Sequence, residues 1–172
     1  MSIQERAWRA ARAAHASIDQ RRKYTGQPYI DHPVRVARTV DQYSGVPESV
    51  AAAYLHDVVE DTPVDIITIY DVFGDQVGEL VEALTDTTIL EDGNRQTRCA
   101  INNRRLWSAP PEAQTIKCAD ILDNCRDIAR FDPDFARVYL PEKLECLEGL
   151  AEANGKLRNR VIQQVTKWRA EL

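Results

Sequence analysis

The segment Tyr54-Leu55-His56-Asp57-Val58-Val59-Glu60-Asp61-Thr62 places one imidazole and three carboxylates within about two turns of an apolar helical run. Burying such groups is costly unless something compensates their charge, and a metal ion is the common compensation. Further donors stand elsewhere, at His32 and Asp120. Two imidazoles and two carboxylates make a mixed nitrogen and oxygen set. That set suits Mn(II), Fe(II) or Zn(II) better than Ca(II), which takes oxygen alone. Neighbours on a helix point about 100° apart, so His56 and Asp57 share one ion only if it lies beside the helix end. Glu60 and Asp61 are expected at that helix's C-terminus, where acidic groups oppose the macrodipole. A placement that is locally unfavourable often marks a site. His15, alone on a helix, reads as a surface or core residue.

Two basic clusters could meet an anion. Arg21-Arg22-Lys23 lies close in sequence to His32. It suits either a basic loop after a helix or a phosphate clamp, since the guanidinium fork matches phosphate oxygens. Asn94-Arg95-Gln96-Thr97-Arg98 and Asn102-Asn103-Arg104-Arg105 form the other, which reads as a solvated face from which Arg95 or Arg98 could reach an anion. Lys117, Asp120 and Asn124 share a helix face by their i, i+3, i+7 spacing, with Asp123 and Asp127 beside them. Spacing alone makes this a charged exposed face. The apolar neighbours Ala119 and Ile121 make partial burial of Asp120 plausible.

The elements that must hold these groups are helical. Val77, Leu80, Val81 and Leu84 repeat at i, i+3, i+4, i+7, and Ile121, Cys125 and Ile128 form another stripe, as do Leu144, Leu147, Leu150 and Ala151. No segment alternates with period two for long. Pro47, Pro110-Pro111 and Pro133 mark helix starts, Thr62-Pro63 reads as a capped start, and Gly74-Asp75 closes one helix and opens another. Residues 86–96 read as a mobile loop. The expectation is an all-α bundle of about eight or nine helices forming a single domain over residues 1–172.

Bulk properties bound the function. A chain of 172 residues can bury a sizeable core. A net charge of −5 argues against a broad nucleic-acid surface and leaves room for a small phosphorylated ligand. There is no signal-peptide pattern and no apolar run long enough to span a membrane. None of Cys99, Cys118, Cys125 and Cys146 forms a CxxC pair, and all four read as reduced thiols of a cytoplasmic protein. A homo-oligomer is compatible with the sequence.

The segments RRKYTGQPYIDHPVRVA, AAAYLHDVVEDT, VFGDQVGELVEALTD and IKCADILDNCRDI together resemble the HD-domain superfamily. Within it they look most like the hydrolase domain of the RelA/SpoT alarmone enzymes and the stand-alone small alarmone hydrolases. The likeness covers about residues 15–130. It implies that His32, His56, Asp57 and Asp120 bind the metal, typically manganese, and that Glu60 and Asp61 position or deprotonate the attacking water. Arg22 matches a family arginine beside the substrate, and in the reaction so implied it would neutralise the diphosphates with help from Lys23. Asn124 matches a site-lining asparagine, and Lys117 a matching lysine. The implied reaction is hydrolysis of the 3′-pyrophosphate of ppGpp and pppGpp, without synthesis. Ile121 and Asp123 depart from the family pattern and bear on base or phosphate specificity. Two alternatives stay open: an HD phosphohydrolase of another nucleotide (pppApp, a nucleoside monophosphate or a phosphorylated dinucleotide), and a catalytically silent module that binds an alarmone or a protein.

Overall fold

A computed structural model describes residues 1–172. The chain is all-α, with one isolated β-bridge between Arg21 and Pro28. It forms two compact units, residues 1–85 and 86–172. The first contains α1 (Ile3–Ser17), α2 (Asp31–Tyr43), α3 (Pro47–Leu55), α4 (Val58–Asp61), α5 (Ile66–Phe73) and α6 (Asp75–Leu84). The second contains a 3-10 turn at Leu90–Asp92, then α7 (Arg95–Trp107), α8 (Pro111–Phe131), α9 (Pro133–Gly149) and α10 (Gly155–Ala170). With the single turn α4 set aside, nine helices remain, in line with the count read from periodicity.

In the first unit α3 is central, packed on α1, α2 and α6. Its Val50, Ala51, Ala52, Ala53 and Leu55 are buried all round, as expected of a helix that is apolar on every face. The small side chains let α1, α2 and α6 pack closely on the helix that ends just before His56. Val36, Ala37 and Val40 of α2 and Val77, Leu80, Val81 and Leu84 of α6 complete this core. The second unit is built on α8, packed against α9 and α10. Cys118, Ile121 and Cys125 of α8 and Leu157, Val161 and Val165 of α10 are fully buried.

The proline starts at Pro47, Pro111 and Pro133 all hold. Gly74, at φ +84°, closes α5 and opens α6 as read. Thr62-Pro63 does not open a helix. The Thr62 hydroxyl donates back to the Val58 carbonyl at 2.7 Å, closing α4. Asp65 caps α5 instead, its carboxylate accepting from Thr68 N–H at 2.8 Å. Residues 86–96 hold a 3-10 turn and already enter α7 at Arg95.

Candidate functional site

Helix α3 stops at Leu55, and the chain breaks before α4 begins at Val58. Asp57 sits at that break with φ −99° and ψ −3°, the bridge region of backbone space. The break turns the Asp57 carboxylate back towards its neighbour, so its Oδ2 lies 3.1 Å from His56 Nε2. On a continuing helix the two side chains would have diverged. His32, in the first turn of α2, brings its Nε2 to 3.5 Å from the same oxygen and 3.3 Å from His56 Nε2. Both rings are buried, while Asp57 keeps 19% of its side chain exposed.

Two bonds orient this cluster. His56 Nδ1 lies 2.9 Å from the Ala53 carbonyl, an acceptor. That fixes a proton on Nδ1 and makes Nε2, which faces His32 and Asp57, the nitrogen that would give its lone pair to an ion, as in ligating histidines generally. Tyr29 donates its hydroxyl to Asp57 Oδ2 at 2.6 Å. Burial would push the Asp57 carboxyl upward, but the adjoining His56 and His32 outweigh it and hold it well below the usual range. His32, His56 and Asp57 thus present three donor atoms within 4.8 Å of one another. Two ring nitrogens and a carboxylate oxygen, oriented by outer bonds and partly open to solvent, fit a divalent ion of the first transition row.

The acidic pair follows directly on α4. Glu60 and Asp61 are both exposed. Asp61 is tied at its backbone N–H to the Asp57 carbonyl at 2.9 Å, and its Oδ2 accepts from Gln20 Nε2 at 2.9 Å. Gln20 Oε1 lies 2.6 Å from His15 Nδ1. His15 is 1% exposed, and its ring stands 4.7 Å from that of Tyr29. Sequence reading missed Gln20 and Tyr29 as parts of this site. Arg22 is held in a turn closed by Gly26 at φ +68° and leans on Tyr29, its Cζ 5.8 Å from the ring centre. The Lys23 ammonium contacts Tyr24, 3.3 Å from its hydroxyl.

Asp120, Lys117 and Asn124 belong to α8, in the second unit. Asp120 is buried; Lys117 Nζ lies 2.9 Å from its Oδ2, and Asn124 Nδ2 donates to its Oδ1 at 2.6 Å. Burial disfavours the Lys117 charge, but Asp120 more than offsets this and raises its pKa well above the ordinary value. The exposed face suggested by spacing is overturned here. Asp123 and Asp127 are also buried, each paired with Arg126, at 3.0 and 3.2 Å. Arg95 is engaged by Glu142 at 2.7 Å, and Arg98 Nη1 donates to the Gly93 carbonyl at 2.6 Å. Asn102 and Asn103 of the same basic region are buried.

A family model described as an HD domain matches residues 7–166. The chain belongs to the HD-domain family. This HD domain is 35% identical over 162 residues to the mouse (Mus musculus) guanosine-3′,5′-bis(diphosphate) 3′-pyrophosphohydrolase MESH1, covering 88% of the chain and 87% of MESH1. It is 34% identical over 152 residues to the bifunctional (p)ppGpp synthase/hydrolase SpoT of Escherichia coli K12, covering 87% of the chain and 21% of SpoT. The chain spans about a fifth of the length of such bacterial relatives. A solved structure of a metazoan SpoT ortholog, described as hydrolysing ppGpp, superposes with a TM-score of 0.85 at 26% identity, covering 100% of this chain and 98% of that one. The HD domain therefore has the all-α fold of that structure, and its His32, His56 and Asp57 group could hold a divalent metal. No helix is long and apolar enough to cross a membrane.

Proposed function

We propose that this HD domain is a manganese-dependent guanosine-3′,5′-bis(diphosphate) 3′-pyrophosphohydrolase, releasing pyrophosphate from ppGpp or pppGpp to leave GDP or GTP. The observation that carries the reading is the His32, His56 and Asp57 cluster, with the Glu60-Asp61 pair on the very next turn. The match to MESH1 over most of both chains supports the substrate. The family match through residues 7–166 supports one catalytic domain over 1–172.

His32, His56 and Asp57 would hold the ion, with Asp120 as the fourth ligand on the strength of its motif. When bound, a divalent cation supplies Lewis acidity, acidifying water and offsetting phosphoryl charge. Glu60 and Asp61 orient the attacking water and accept its proton, a role that requires hydrogen-bond reach more than basicity. Water adds to the phosphorus attached to O3′, the P–O3′ bond breaks, and O3′ takes a proton. Pyrophosphate and the 5′-nucleotide leave. Arg22, helped by Lys23 and Arg98, neutralises the diphosphates; Lys117 and Asn124 hold Asp120 and line the site. The reading carries a cytoplasmic location and a small-molecule partner, with no nucleic acid or membrane and room for a homo-oligomer.

The test is chromatography of products after incubating the protein and Mn(II) with ppGpp, pppGpp and pppApp. Pyrophosphate and GDP from ppGpp are expected. Orthophosphate release from a different nucleotide, or binding without turnover, would overturn the proposal.

A further inference from the structure

The Gln20 side chain has one orientation, dictated from both ends. The Asp61 carboxylate only accepts hydrogen bonds, so the Gln20 amide must turn its NH2 group towards it, at 2.9 Å. Gln20 Oε1 then faces His15 Nδ1 at 2.6 Å, and that nitrogen must carry a proton. His15 Nε2 is buried without a hydrogen-bond partner. A proton there would be a stranded donor, so the ring is the neutral Nδ1–H tautomer. Burial, the leading influence on His15, lowers its pKa and agrees with that form. The backbone of Gln20 is clamped as well. Its N–H donates to the His15 carbonyl at 3.1 Å, and its carbonyl accepts from Tyr29 N–H at 3.0 Å.

We propose that His15 and Gln20 form a positioning relay for Asp61: buried His15 locks the Gln20 amide, and Gln20 holds one carboxylate oxygen of Asp61 in place. The inference rests on the reading of Asp61 as a water-handling group. An exposed aspartate at a helix end otherwise samples several rotamers. One bond to a group fixed by the core removes that freedom before substrate arrives. The relay leaves Asp61 Oδ1 to the reaction and keeps Oδ2 occupied.

Gln20→Leu removes the donor, Gln20→Glu turns a second carboxylate on Asp61, His15→Leu frees the amide, and His15→Asn retains an N–H near the position of Nδ1. Gln20→Leu is expected to lower kcat about 10- to 100-fold, with KM within about threefold. Gln20→Glu should fall at least as far. His15→Leu should lose kcat and His15→Asn should recover it. The double variant Gln20→Leu/His15→Leu should be no worse than Gln20→Leu alone, because the two residues act in series. Mn(II) affinity should stay at the wild-type value throughout. The imidazole 15N shifts should report the Nδ1–H tautomer in the wild type and a redistributed tautomer in Gln20→Leu, a readout independent of turnover. A Gln20→Leu kcat within twofold of wild type, multiplicative single variants, or an unaltered His15 tautomer would overturn the relay. Failure of wild-type protein to release pyrophosphate, or full kcat in Asp61→Asn, would instead strike the parent reading.

Discussion

Tyr29→Phe isolates one hydroxyl at the His32, His56 and Asp57 group. The ring that packs against His15 at 4.7 Å and His32 at 5.7 Å is retained. What disappears is the 2.6 Å bond to Asp57 Oδ2. A hydrogen bond to a charged group contributes about 1.5–3 kcal/mol. At about 1.4 kcal/mol per tenfold, that corresponds to roughly 10- to 100-fold in affinity. The same range, about 10–100-fold, is typical of removing a group that orients a metal ligand from outside. Because Asp57 is 19% exposed, water replaces part of the lost bond, and the lower half of the range is expected. Calorimetric titration of metal-free protein with Mn(II) measures it directly, with circular dichroism to show that the helices persist. A Kd within twofold of wild type would refute the view that Tyr29 orients Asp57 for the ion.

Other outcomes follow from the same geometry. His56→Ala or Asp57→Ala should lower metal-dependent pyrophosphate release at least about 100-fold, even with saturating Mn(II), since each removes a donor and not merely its support. Arg22→Ala should mainly raise KM, by about tenfold, with kcat little changed, because it deletes binding present before and during reaction; steady-state kinetics on ppGpp decide. Burial pushes the thiols of Cys118 and Cys125 up to about 12. In the unfolded chain they ionise near 9, so the stabilisation is complete below that pH and is lost as pH rises from about 9 to about 12. Denaturant titrations should show stability falling there by up to about 1.4 kcal/mol per pH unit for each thiol, and a flat profile would contradict the burial. Gly149→Ala should destabilise by about 1–3 kcal/mol, because an added Cβ would stand 2.1 Å from the Trp107 ring; an unchanged melting temperature would contradict that packing.

The helices were legible because their apolar stripes and proline starts agree, as at Pro47, Pro111 and Pro133. His56 and Asp57 were legible because an imidazole and a carboxylate beside a wholly apolar run demand compensation. Three things were not. Thr62-Pro63 has the composition of a cap, but which way a hydroxyl turns depends on the α4 turn behind it. Asp123 and Asp127 read as exposed because spacing does not reveal that Arg126 satisfies both from the same helix. Gln20 was invisible because its partner Asp61 lies 41 residues away, and a neutral amide carries no charge pattern to betray it.

The break at Asp57 would join the two proposed roles, ion binding and water handling, with no slack between them. Asp57 caps the start of α4, the turn on which Glu60 and Asp61 sit, with Val58 sealed in the core between them. A cation of different radius that drew the Asp57 carboxylate in or out would carry the acidic turn with it. On the proposed mechanism ionic size would thereby be coupled to the placement of the attacking water, and swapping one divalent ion for another should alter turnover even where both bind equally tightly.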